Sequence, residues 1–158
     1  MIQEVLVSLI PRPDLSTRPL KMTCAYIVSA KPSDVYAAWT EKLDTWFAQA
    51  GTLSMTPEPG RPYFFYNRDD WGRHPHYGRF LDVKENQLLE MTWMTGNGAA
   101  EGTEGAETLL RIELIPKGPA TQVRLTHSGF VSEQSRIGHA ENWPLALEML
   151  DQVLRGQV

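Results

Sequence analysis

The stretch RLTHSGFVSEQSRIGHAENW, residues 124–143, holds three of the groups in this chain best able to do chemistry: His127, Ser128 and His139. An imidazole beside a hydroxyl is the pairing of a general base with a nucleophile, and two imidazoles are the beginning of a metal site. Strand parity argues against the first. In TQVRLTHS, residues 121–128, alternate side chains share a face, so Val123, Leu125 and His127 point one way and Gln122, Arg124, Thr126 and Ser128 the other. His127 is expected inward with the apolar set, and Ser128 is out of its reach unless a bulge intervenes. His139 stands at helical spacing from Trp143, Ala146 and Leu150, which turns it toward a sheet near a helix start. The expected state of both histidines is a partly buried ring satisfied by hydrogen bonds, with ligand binding as the competing role.

The other constellations carry less. His74 and His76 in HPH share one face of a strand, but spacing fixes no third ligand, so no metal is expected. The segment GNGAAEG follows a strand but leads into another strand, and Glu101, Glu104 and Glu107 would repel phosphates. It reads as a flexible loop at a pocket mouth. Asp69 and Asp70 adjoin Trp71 and Gly72 in a hairpin-like turn, where paired acids are usually solvated. There is no G-x-S-x-G and no H-E-x-x-H motif, so no catalytic residue and no cofactor is assigned.

The elements that must position these residues come from the whole chain. Its 158 residues, 42% hydrophobic and 22% charged, fit one compact domain that buries about 70% of its unfolded surface. The net charge of −4, with lysines and arginines spread out, supplies no basic stripe, so nucleic acid is not an expected partner. Cys24 is the single cysteine, which excludes an internal disulfide and fits a reducing, cytoplasmic setting. The opening MIQEVLVSLI is interrupted by Glu4 and stopped by Pro11. No stretch approaches the ~20 apolar residues of a membrane span, so no membrane partner is expected.

Along the chain, KMTCAYIVSA (21–30) is a strand ending before Pro32. Two short amphipathic helices follow, one carrying Val35, Ala38 and Trp39 and one carrying Leu43, Trp46 and Phe47, with Ser33 and Asp34 placed as side-chain acceptors at the first start. Then come six short strands, LSM, PYFFYN, HYGRFLDV, LLEMTWMT, ETLLRIELI and TQVRLTHS. The last element is a helical stripe through Trp143, Ala146, Leu147, Leu150, Val153 and Leu154, with a start or kink expected near residue 142 because Pro144 lacks an N–H. The pattern is α+β: about seven strands in one antiparallel sheet whose apolar face needs the C-terminal helix as cover.

The runs KPSDVYAAWTEKLDTWFA, PHYGRFLDVKENQLLEMTW, ETLLRIELIPKGPATQVRLTHSGF and HAENWPLALEMLDQVL resemble the START-like (SRPBCC) superfamily, within it the branch of homologues of the heat-shock chaperone ATPase activator. The resemblance covers about residues 21–155. It implies a helix-grip fold over 21–158, a curved sheet wrapped on the C-terminal helix with a pocket between them, and leaves residues 1–20 as an N-terminal arm. By the family pattern Phe64 and Tyr66 are the inward pair of PYFFYN, leaving Tyr63 and Phe65 outward, covered either by the arm or by a second subunit in a homodimer. The expected pocket then draws on Trp39, Trp46, Phe47, Phe64, Tyr66, Trp93, Leu110, Ile112, Leu125, Trp143 and Leu147, with His127, His139, Tyr66 or Tyr77 as polar handles. The function this implies is binding of a small apolar or aromatic molecule. A cyclase- or hydrolase-type enzyme using the same pocket, with His127 as acid or base, and a chaperone-partner module are the alternatives.

Overall fold

The computed structural model describes residues 9–69, 72–96 and 105–157. Most of the opening apolar arm, Asp70 and Trp71 of the expected turn, and the glycine-rich acidic loop at 97–104 lie outside the described residues. Among those described, seven strands form one antiparallel sheet: β1 (Leu20–Val28), β2 (Ser54–Met55), β3 (Pro62–Asp69), β4 (Gly72–Lys84), β5 (Leu88–Thr95), β6 (Thr108–Lys117) and β7 (Ala120–Phe130). Their order across the sheet is β1-β7-β6-β5-β4-β3-β2, so only the placement of β1 beside β7 departs from a simple meander. The helix α1 (Pro32–Trp39) follows β1, and α2 (Glu133–Leu154) closes the chain on the inner face of the sheet. This is the helix-grip arrangement.

Alternation builds that inner face. On β6, Thr108, Leu110, Ile112 and Leu114 are buried while the residues between them are half-exposed, as a strand with one covered face requires. Leu89, Met91 and Trp93 of β5 and Val123, Leu125 and His127 of β7 continue the layer, and Trp143, Leu147 and Leu150 of α2 pack onto it. The backbone must approach closely at one point: a Cβ on Gly78 would lie 2.2 Å from the carbonyl oxygen of Thr92, so β4 can pass β5 there only as glycine.

The helices depart from the sequence reading in three ways. Neither Ser33 nor Asp34 caps α1; the helix starts with Pro32 in its first turn, where a missing N–H costs nothing. The second expected helix is one 3₁₀ turn, Leu43–Thr45, although it still buries Leu43. Helix α2 begins well before residue 142, with Ser132 accepting a hydrogen bond from the N–H of Ser135 at 3.1 Å, and runs through the exposed Pro144. Near its far end the buried Asp151 accepts from the N–H of Ser29 at 2.7 Å, fixing the helix to the end of β1.

The described residues before β1 cross the sheet face opposite α2. Arg12 pairs with Glu90 at 2.6 Å, Arg79 donates to the carbonyl of Pro11, and Arg18 donates to the carbonyls of Gly129 and Glu107 at 2.8 and 3.1 Å. Glu90, on the opposite side of β5 from Met91, is thereby only 5% exposed and is held also by Arg111 at 3.1 Å. No helix among the described residues is long and apolar enough to cross a membrane.

Candidate functional site

The interior of the sheet-and-helix wrap is aromatic, and Phe47 is its hub. Its ring stacks on Trp143 at 5.7 Å and 13°, and meets Phe65, Trp93 and His76 at 5.8, 5.9 and 6.0 Å. Such pairs contribute ~1 kcal/mol each beyond the area they bury, so the cluster is a rigid wall. Trp39 meets Trp46 edge-on at 5.0 Å behind it.

Register settles which face of β3 enters this cluster. Phe65 pairs with His76 of β4 and the two rings stack at 5.0 Å and 6°, while Tyr63 is buried with its hydroxyl donating to the carbonyl of Thr92 at 2.6 Å. The inward pair is therefore Tyr63 and Phe65. The expectation for Phe64 and Tyr66 is reversed: they pack edge-on to each other at 5.0 Å on the outer face, and Tyr77, the cross-strand partner of Phe64, is on that face with them. Neither tyrosine is a pocket handle. Tyr63 and Phe65 are likewise packed into the core, and residues 1–8 of the arm expected over them lie outside the described residues.

His127 is where parity placed it, fully buried, but it is not one of the described residues that line the cleft in front of Trp143. Its Nδ1 accepts from the indole N–H of Trp143 at 3.1 Å and its Nε2 lies 2.8 Å from the hydroxyl of Thr108, whose own proton goes to the carbonyl of Trp93. Since that proton is spent, the Thr108 oxygen accepts and Nε2 of His127 carries the hydrogen. Both ring nitrogens are closed. Burial, with His139 nearby, holds the ring far below the usual histidine range, so it stays neutral.

In front of Trp143 a cleft of about 250 Å³ opens between β4, β5 and α2. Phe47, Trp93 and Trp143 form its apolar walls, His76 and Asn67 its sheet side, and His139, Asn142 and Ala146 its helix side. His139, Asn142, Trp143 and Ala146 follow i, i+3, i+4, i+7, one face of the helix. No charged side chain lines the cleft among the described residues. Of the residues expected to form the pocket, Phe47, Trp93, His139 and Trp143 line it; Trp39, Trp46, Leu110, Ile112, Leu125 and Leu147 belong to the surrounding core.

The two lining histidines share a geometry. Nδ1–H of His76 donates to the carbonyl of His74 at 2.9 Å, and Nδ1–H of His139 donates to the carbonyl of Ser135 at 2.7 Å. A carbonyl only accepts, so in each neutral ring Nε2 is left as a lone pair, with no protein partner among the described residues. Burial brings His76 down from 6.5 to about 4 and also lowers His139. Two imidazoles fall short of a zinc ligand set, and no group of three or more metal-ligating side chains occurs among the described residues. Sequence reasoning missed His76, Asn67 and Asn142 as lining residues. The helical spacing from His139 was the signal for Asn142, whereas His76 is placed by the pairing of β3 with β4, which the sequence does not show.

A family model described as Activator of Hsp90 ATPase homolog 1-like protein matches residues 29–155. No curated protein matches the chain by sequence. Among solved structures, a protein of Mesorhizobium loti is 22% identical with a TM-score of 0.69, over 88% of this chain and 99% of its own. CalU16 of Micromonospora echinospora is 18% identical with a TM-score of 0.65, over 87% and 76%. The Aha1 dimer of Colwellia psychrerythraea is 20% identical with a TM-score of 0.64, over 85% and 96%. At these identities the likeness is one of fold.

Proposed function

The chain belongs to the Activator of Hsp90 ATPase homolog 1-like family, and we propose that this member binds a small neutral aromatic molecule in the cleft between β4, β5 and α2. The observation that carries the reading is the cleft itself, walled by three aromatic rings and edged only by neutral polar groups among the described residues. Size narrows the occupant: a dry cavity of about 150 Å³ holds benzene and drug-sized ligands need ~300 Å³ or more, so 250 Å³ suits one substituted ring.

Binding is favoured over catalysis by the state of the histidines. A general base works best with a pKa near the working pH, and His76 at about 4 is a weak base that stays neutral. Titration of single-ring aromatics followed by tryptophan fluorescence tests the reading, because Trp93 and Trp143 are walls of the site. Saturable quenching is expected, abolished by Ala146→Phe, which fills the cleft from the helix side. Absence of quenching across the panel, or quenching untouched by Ala146→Phe, would overturn it.

Association of two copies is the second part of the proposal. Ile137, Leu145 and Met149 are 44%, 63% and 40% exposed on the outer side of α2 and form an apolar stripe that a second copy would cover. The Colwellia psychrerythraea relative is described as a dimer. Light scattering of the wild type and of Leu145→Glu tests this, with a mass near twice 17.9 kDa expected only for the former.

A further inference from the structure

Resting on the reading of the cleft as an aromatic-ligand site, we propose that its occupant is selected by hydrogen-bond donors: a neutral ring carrying two O–H or N–H groups, one given to Nε2 of His76 and the other to Nε2 of His139. The argument starts from what each histidine has left. His127, behind the wall, has both nitrogens bonded within the protein. His76 and His139, which reach the cleft, each spend Nδ1–H on a backbone carbonyl and keep one lone pair open. The backbone thus fixes the tautomer, and the open atoms are acceptors without rotating or exchanging a proton.

The walls make the same selection from the other side. The indole N–H of Trp143, the ring stacked on Phe47, is withdrawn from the cleft by its bond to His127. The site has no cation for a carboxylate or phosphate among the described residues. An acceptor-only or apolar ring would displace water from both imidazole lone pairs and leave them unpaired, whatever it accepted from the amides of Asn67 and Asn142, which is the costly half of a lost hydrogen bond. One acceptor stands on the sheet and one on the helix, so the ligand's two donors lie on different sides of its ring.

The experiment compares the three dihydroxybenzene isomers with the matching xylenes, which replace each hydroxyl by a methyl group of similar size, and with benzoate. The readout is tryptophan fluorescence at neutral pH. At least one diphenol is expected to bind about tenfold or more tightly than its xylene, and His76→Phe and His139→Phe should each remove about tenfold of that preference. Nitrogen NMR of the wild type gives a readout that needs no variant: the Nε2 signals of His76 and His139 should shift on diphenol binding while those of His127 stay. If xylenes bind as well as diphenols, the cleft reading stands and donor selection fails. Unmoved Nε2 signals in the diphenol complex, or tightest binding by benzoate, also overturn donor selection. If neither diphenol nor xylene binds, the cleft reading itself falls.

Discussion

Acidifying the protein from about pH 7 to about pH 5 should destabilise it through its histidines before its carboxylates titrate. His76, His127 and His139 all have lowered pKa values, with burial the largest cause in each, and no acidic group among the described residues acts on any of them. In the unfolded chain each would take a proton near its ordinary 6.5; in the folded chain each resists it. The unfolded state therefore binds more protons, so the histidines cost nothing above about pH 6.5 and stability falls as the pH drops from there toward the folded values, at about 1.4 kcal/mol per pH unit for each ring. For His76, whose folded value is about 4, the full shift corresponds to about 3 kcal/mol. About half of that is reached by pH 5, or roughly 3–6 °C in melting temperature for a chain of this size. The other two rings add to it. Thermal melts by circular dichroism at half-unit pH steps are the assay, with His76→Phe, which keeps the stack on Phe65, as the comparison. The variant should lose part of the slope. A melting temperature that is flat over this range, or a variant whose slope equals that of the wild type, would refute the reasoning.

Gly78→Ala should unfold the β4–β5 pairing, since the new Cβ meets backbone; a loss of more than about 3 kcal/mol in urea titration is expected. Thr108→Val leaves the Nε2–H of His127 unpaired in the core and should cost about 1–3 kcal/mol by the same assay, while leaving diphenol affinity unchanged. Glu90→Gln weakens the pairing with Arg12 and Arg111, both of which are nearly half-exposed, so a loss of only about 1 kcal/mol is expected, shrinking further in high salt.

The fold was legible because its signals are independent of one another. Alternation marks the strands, the i, i+3, i+4 stripe marks α2, and the bare order of elements implies a sheet needing one helix. The inward face of β3 was not legible. PYFFYN is aromatic at both parities, so alternation has a period but no sign there, and only the pairing of Phe65 with His76 across β4 supplies one. An error of one residue at that point turned Phe64, Tyr66 and Tyr77 inward and left His76 out of the site. The extent of α2 was obscured for a different reason. Pro144 signals a break locally, but its position on the exposed side of a helix fixed by Trp143, Leu147, Leu150 and Asp151 lets packing outweigh one missing hydrogen bond.

The chemistry of the site rests on something a sequence does not carry at all, namely which nitrogen of each ring is spoken for. His127 was the natural candidate because parity points it inward, and it is inward. Yet an inward histidine is useful to a ligand only if one nitrogen stays open, and the hydroxyl of Thr108 on β6 and the indole of Trp143 on α2 take both. Those partners lie 19 and 16 residues away in the chain, so their contact depends on β6 pairing with β7 and on α2 seating over both. His76 and His139 are tied by bonds to carbonyls only two and four residues back, and short-range bonds of that kind consume one nitrogen and leave the other facing outward from its own element. The cleft is lined by both of these rings. It follows that exchanging Thr108 should act on stability, exchanging Trp143 on stability and on the wall a ligand meets, and exchanging His76 or His139 on selectivity, because the long-range bonds hold the wall together and the short-range ones only set what the wall presents.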